Sequence, residues 1–560
     1  MKIFQELDIN LFKYFFIVVY LASILFANEI KYHRIEYKID DVDKIALNKK
    51  VPTSHLKIYL PSIPYSYIMR LINGTLVRLN DSPKGWEYFI AYKHQKINPV
   101  TYDFWLRKDI KFQDGTNLTA DSVIENFKMF KKGAFTYTDI HNKLKSVEKL
   151  GNYKIRIHLN GPYGMLLNDL ARISLYTKEY LKKHTWNNNI VADNTKTPGS
   201  YGSGPYILSS GYAVGLEQSG RLVLKANPYY FEKSKPYVET ITIFTKIPIE
   251  DVIEKITQKE GELDIAVIPF SKKNEVVNSS FSKLVSTKSS FNISVHFNLM
   301  KKESKLKNQK IRQALNQAIN QSKLIKFAYK NEGSISPFSI SSNSYYAKKL
   351  SEKYIKESKP LFSEKELHKL LNGLRLKVVT QDRFLSLWKG IEYQLNNYGV
   401  RLDYDITSDE TYVLGKLLTN RKNKYDWDLL IWGNDDWYGH PWASFFTLYS
   451  KNQWSAIDKD DILDNKFRKL FELENDNPLF QELVNDILEY TYKKSYMLSL
   501  PSPNFLLALN KEVFFSPSSV AILRLWEAKL SQYHWSIRGN IIPPESRKEY
   551  ILPKRINDDE

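Results

Sequence analysis

Residues Phe104 to Phe130 read FWLRKDIKFQDGTNLTADSVIENFKMF, and the spacing of their apolar side chains changes halfway along. Leu106 to Phe112 alternates as a strand does. Asp114-Gly115 is a turn dipeptide. Thr119 is placed to cap a helix whose apolar stripe is Ala120, Val123, Ile124, Phe127 and Phe130, and Asp121 in its first turn suits the helix dipole. The stretch is a strand–turn–helix scaffold unit with no chemistry of its own.

Similar units flank it. His55 to Leu60 reads as a short strand closed by Pro61, and residues 28–55 as a polar lead-in. Tyr65 to Leu79 gives a short helix, a break at Gly74 and a strand. Further strands are expected at 154–159, 221–226, 238–245, 261–266 and 291–298. Ile311, Ala314, Leu315, Ala318, Ile319 and Ile325 define one helix of about five turns. Residues 376–380, 385–398 and 401–406 then follow in β-α-β order, which predicts a parallel sheet. Helix is expected over 482–492, and a strand ending in a loop over 497–503. No repeat interrupts this α/β pattern.

With 560 residues the chain is too long for one core. Its 81 basic and 62 acidic residues give a net charge of +19, but the basic residues are scattered. A nucleic-acid protein concentrates them, so no nucleic acid is expected. The absence of cysteine excludes disulfides, thiol catalysis, Cys-ligated zinc and iron–sulfur clusters. It also excludes lipid attachment at a leader cysteine. Tyr14 to Ala27 (YFFIVVYLASILFA) follows Lys13 and ends in a small residue. It fits a secretory signal peptide over 1–27 and is short for a span of about 20 residues. An uncleaved anchor is the alternative.

One acidic, aromatic stretch stands apart from the basic chain. Tyr425 to Phe446 (YDWDLLIWGNDDWYGHPWASFF) holds four of the 11 Trp, four Asp and no Lys or Arg. An apolar run that opens into such a segment suits a strand feeding a binding loop, with aromatic faces for contact area and a carboxylate for one directional contact. A buried strand followed by an aromatic core turn fits this stretch equally well. His440 beside Asp435 and Asp436 is more in keeping with a hydrogen-bonding loop histidine than with a metal ligand. No HExxH, nucleophile elbow, P-loop or dinucleotide fingerprint occurs, so no catalytic residue, metal or cofactor is expected.

The ordered landmarks resemble a known family. Leu106, Arg107, Ile110, Phe112, Asp114, Gly115, Leu118, Thr119, Ala120, Asp121 and Val123 are similar to the signature of the family 5 extracellular solute-binding proteins. Gly202-Ser203-Gly204-Pro205-Tyr206, Asn227-Pro228-Tyr229-Tyr230 with Lys235-Pro236-Tyr237, Ile311-Arg312-Gln313-Ala314-Leu315 and Tyr398-Gly399-Val400 follow in that family's order. The resemblance spans residues 56–535. It implies a two-lobed periplasmic-binding-protein-like fold (type II) with an additional inserted domain. The implied division is a first lobe of 28–75, 198–290 and 515–560, an inserted domain of 76–197 and a second lobe of 291–514. It further implies a monomeric, non-enzymatic periplasmic receptor. Such a receptor would close on a peptide and deliver it to an ABC transporter permease in the inner membrane. Oligosaccharides and metal chelates are alternative ligands, and a membrane-tethered sensor or chaperone-like module is an alternative use of the fold. By the same resemblance Asp435 or Asp436 would hold the ligand's α-ammonium, with Trp432, Trp437, Tyr438 and His440 around it. His440 stands where the family motif has a second Asp.

Overall fold

The computed structural model describes residues 46–61, 65–80, 82, 84–131, 138–183, 195–214, 217–279, 281–418, 426–434, 439–518 and 523–539. The expected signal peptide lies outside them. Among them no helix is long and apolar enough to cross a membrane.

Two sheets carry the two halves of the molecule. In the first, the strands run in the order Ser282–Lys288, Ser502–Asn510, Ile265–Val267, Val51–Tyr59, Val238–Phe244, Arg221–Ala226 and Tyr206–Ser210. Val51–Tyr59 is parallel to both of its neighbours, and pairs Leu56 with Ile241 and Ile58 with Ile243. Its Tyr59 packs with Ala266 and Leu506 against Val252, Ile253 and Ile256 of helix Ile249–Gln258, whereas Leu56 and Ile58 are buried in the main core. The strand starts at Val51, inside the expected lead-in.

The second sheet has the order Arg401–Thr407, Arg375–Gln381, Leu429–Asn434, Asn292–Phe297 and Met497–Ser499. Its first three strands are mutually parallel, as the β-α-β pattern requires. Helix Leu385–Asn396 makes the crossover, and buried Trp388 donates its indole N–H to Thr380 Oγ1 at 3.0 Å. The chain passes between the two sheets at Ser289–Phe291 and again at Leu500–Pro501. Sheet membership therefore joins Ser502–Asn510 to the first sheet, whereas the sequence division assigns 291–514 to the second lobe. Pro501 and Pro503 flag a loop there, but only the pairing of 502–510 with 282–288 and 265–267 reveals the return.

A four-stranded antiparallel sheet, Ala91–Asn98, Thr101–Leu106, Lys154–Leu159 and Leu144–Gly151, forms a further unit. Helix Ala120–Phe130 covers it with Val123, Phe127 and Phe130, and Thr119 with Ser122 makes its capping box. The strand expected over 106–112 ends at Leu106. Ile110 and Phe112 are buried as alternation predicts, but from a turn in which Phe112 N–H donates to Thr116 O and Leu118 N–H to Ile110 O.

That turn ties the four-stranded unit to the first sheet. The Gln113 side chain donates to Ile72 O and Tyr206 O, both at 2.7 Å, and accepts from Gly202 N–H at 3.1 Å. Its backbone N–H donates to Gly202 O. Gly202 and Gly204 lie so close to this junction that a Cβ would sit 2.1 Å from Ile72 O and 2.6 Å from Leu71 O. The Phe104–Phe130 stretch and the Gly202–Tyr206 motif are thus two halves of one buried joint.

The second half has its own joint. The expected five-turn helix is two helices, Gln309–Ala318 and Gln321–Ala328, because Asn320 caps the second by accepting from Lys323 N–H. Arg312, buried on the first, donates to the carbonyls of Leu306, Lys307, Lys494 and Ser495, and so closes the C-terminus of helix Pro478–Lys494. Only a guanidinium can reach several carbonyls in one plane.

Gln113→Leu strips partners from two carbonyls and one amide at the first joint. It is expected to cost about 2–5 kcal/mol, read as a lowered midpoint in urea unfolding with the slope unchanged.

Candidate ligand-binding cleft

The acidic aromatic stretch begins as a central strand. Leu429, Leu430 and Ile431 are fully buried, and Leu429–Asn434 lies between Arg375–Gln381 and Asn292–Phe297. Two of its four Asp belong to the amino end. Asp428 Oδ1 lies 2.7 Å from Lys301 Nζ, and Asp428 Oδ2 accepts from Lys377 N–H at 3.0 Å. Asp426 is paired with Lys416 and Lys377, whose hydrogen bonds and charges hold its carboxyl below the ordinary value. These two acids are structural.

The carboxyl end of the strand points to the crossings between the sheets. Asn434 pairs with Asn292, next to Phe291. In the first sheet, Lys288 pairs with Asn504 at its crossing end, and Val267, the carboxyl end of its strand, pairs with Leu507. Carboxyl ends of parallel strands from both sheets therefore lie toward the crossings, the usual ligand side of open α/β sheets. Trp432, half-buried, pairs with Ser294 here. Gly433 admits the Phe291 and Phe384 rings: a Cβ would be 2.7 Å from one and 3.3 Å from the other. Asp435, Asp436, Trp437 and Tyr438 lie outside the described residues.

Gly439, with φ +61°, resumes the chain against the opposite wall. Its carbonyl accepts from Asn168 Nδ2 at 3.1 Å and from Tyr346 Oη at 3.4 Å. It abuts Gly85, the turn glycine of the hairpin formed by Val77–Leu79 and Trp86–Tyr88. His440, expected at the ligand, is instead 1% exposed: its ring meets Phe480 edge-on and its Nδ1 accepts from Trp442 N–H at 3.0 Å. From His440 onward the aromatic stretch is a packed core turn, one of the two readings its sequence allows. Sequence reading misses Gly85, Asn168 and Tyr346. The Lys84-Gly85 turn is visible in the sequence, but nothing local reveals what it touches.

Other arrangements are not sites. Ser536, His534 and Asp264 are linked as in a hydrolase relay, at 2.9 and 3.0 Å. All are buried, and Asp264 also accepts from Lys57 N–H and Trp535 Nε1, which makes the set an anchor for the C-terminal segment. A cavity of about 500 Å³ lies within the second lobe rather than between the lobes. The amides of Gln313, Asn316, Gln317 and Gln321 on its wall are already bonded to backbone carbonyls. Among the described residues no three His, Asp or Glu are grouped to hold a metal ion.

Comparison with known proteins bears directly on this geometry. The profile described as bacterial extracellular solute-binding proteins, family 5 Middle, matches residues 88–456. The chain belongs to this family. Family 5 is a binding-protein class, not an enzyme class. The oligopeptide-binding protein AppA of Bacillus subtilis is 27% identical over 245 residues, 42% of each chain. Its structure with a nonapeptide superposes over 86% of this chain and all of AppA, with a TM-score of 0.68 at 18% identity. The nickel-binding protein NikA of Staphylococcus aureus is 25% identical over 80% of this chain and 84% of its own. The periplasmic binding protein DppA of Helicobacter pylori, in complex with the peptide STSA, superposes over 85% of this chain and 98% of its own, with a TM-score of 0.68 at 17% identity. The fold is the two-lobed type II binding-protein fold.

Burial holds two histidines neutral: the His440 imidazole is pushed down to about 3 and that of His296 to about 4, from an ordinary 6.5. In acid the unfolded chain takes protons near pH 6.5 that the folded chain refuses, so stability rises with pH across this window. Chemical unfolding at several pH values should show the full contribution above 6.5, lost progressively toward pH 4. His296→Gln should flatten that slope by about 1–3 kcal/mol over the window.

Proposed function

We propose that this protein is an extracytoplasmic receptor that encloses a peptide between its lobes and delivers it to an ABC importer. The single observation that carries the reading is the course of the acidic aromatic stretch. The strand Leu429–Asn434 ends beside the crossings between the two sheets of a family 5 binding fold, and Asp435 and Asp436 are the next residues of the sequence. A carboxylate from Asp435 or Asp436 would pair the peptide's α-ammonium, a charge-assisted bond in a closed cleft. Trp432, Trp437 and Tyr438 would supply flat contact area. The working division of the chain is a first lobe built on the larger sheet, a second built on the five-stranded sheet, and the 76–197 segment inserted in the first. The receptor would act as a monomer in the periplasm after removal of residues 1–27, or tethered if they remain.

A second reading keeps the receptor and changes the cargo. The nickel-binding relative matches a larger share of this chain than the oligopeptide-binding one, 80% against 42%. A metal chelate or an oligosaccharide would stack on the same aromatic residues.

Calorimetric titration with a mixed set of di- to pentapeptides separates the two. Under the peptide reading, heat is released, and either Asp435→Asn or Asp436→Asn weakens binding by about 1.5–3 kcal/mol while the other does not. Unchanged affinity in both variants contradicts the ammonium assignment. No heat with any peptide, with binding of a nickel chelate or sugar, transfers the cleft to the second reading.

A further inference from the structure

The four-stranded unit and the first sheet are joined into one body by buried hydrogen bonds. Gln113 joins them, and Leu175 N–H donates to Gly74 O at 2.9 Å beside that joint. The second lobe is continuous with this body at the two crossings, where Gly333–Ser334 also pairs with Ser502–Pro503, and it meets the body again through segments remote in sequence from both. Gly164 N–H donates to Phe471 O at 2.7 Å. Lys96 Nζ is 2.6 Å from Glu474 Oε1, which also accepts from Tyr102 Oη at 2.9 Å. Asn475 Nδ2 donates to Lys84 O at 3.0 Å.

Two of these meetings leave no room for a side chain. A Cβ on Gly164 would lie 1.9 Å from Leu473 O and 2.2 Å from its carbonyl carbon. A Cβ on Gly85 would lie 1.9 Å from Gly439 O. In each case the obstacle is backbone, which cannot rotate away. The polar partners agree with the fit: Tyr102 is 1% exposed, and its hydroxyl is satisfied by a residue of the other body.

We propose that the Phe471–Asn475 turn and Gly439 form a catch that docks on glycine seats at Gly164 and Gly85 of the first body. The catch sets how far the lobes close and holds them closed through contacts that no ligand makes. Part of the closing free energy is then built into the protein, and the ligand supplies only the difference needed to shift the population. Gly164, Gly85 and Glu474 are positioning residues for the cleft. The inference rests on the lobe closure proposed above, but its test needs no ligand.

The chain has no cysteine, so spin labels can be placed at will. Tyr92, 50% exposed on the four-stranded unit, and Leu479, 59% exposed beside the catch, are suitable positions for Tyr92→Cys and Leu479→Cys. Double electron–electron resonance on the labelled full chain without ligand should give a short-distance population. Gly164→Ala should reduce its ratio to the open form at least about tenfold, as expected for a blocked backbone contact. Lys96→Glu should reduce it about threefold, and Glu474→Lys in the same chain, which remakes the ion pair but not the acceptor for Tyr102 Oη, should recover only part of the loss. Absence of the short distance in the parent overturns the proposal. So does an unchanged distribution in Gly164→Ala when its circular dichroism and melting match the parent. A protein that shows the catch but binds no peptide leaves the catch standing and removes only the peptide reading.

Discussion

Everything about the cleft depends on one buried amide. Gln113 reaches from the four-stranded unit to the carbonyls of Ile72 and Tyr206 and to the Gly202 amide, and the glycines around it exist to let those backbones approach. Each partner is out of reach of water, so each bond removed leaves a bare polar group in the core. The joint fixes the wall that carries Gly85, Gly164 and Asn168, and so fixes where the second lobe can land. The long sequence motif around Gln113 is therefore neither a binding nor a catalytic signature. It sets the geometry of a hinge protein at a distance from the ligand.

The second lobe follows the same logic with different chemistry. Among the described residues Arg312 has no acidic partner: it satisfies a helix C-terminus and a loop with one planar group, and burial lowers the basicity of its guanidinium. On this base the strand Leu429–Asn434 runs apolar from Leu429 to Trp432 and turns polar only at its end, Asn434. Its two outer acids are neutralised by Lys301, Lys377 and Lys416. The acids that remain for a ligand are those beyond the strand's carboxyl end. In the proposed reading, Asp435 or Asp436 would give a chain of net charge +19 a carboxylate for the ligand's cationic end.

Much of this was legible in the sequence, and the failures share a cause. The strands 154–159 and 221–226, the parallel β-α-β unit and the Thr119-capped helix are local, and period and capping chemistry define them. The strand expected at 106–112 failed because Ile110 and Phe112 are buried by a turn, which alternation alone cannot distinguish from a strand. The single helix expected from Ile311 to Ile325 is two because Asn320 caps the second, which the apolar period alone does not show. The placement of Ser502–Asn510 and the burial of His440 are non-local: they depend on pairing and packing partners hundreds or tens of residues away. The same is true of Gly85 and Gly164, whose need for glycine comes from backbone on the other lobe.

The central claim is that the cleft of this family 5 protein holds a peptide. Native mass spectrometry of the protein, purified gently from its own cell envelope without refolding, tests it most directly. The account predicts a bound mass that dissociates into one or more peptides, present on the parent and depleted when the cleft carboxylate is replaced. A bound nickel or iron chelate, or an oligosaccharide, in place of any peptide would contradict it.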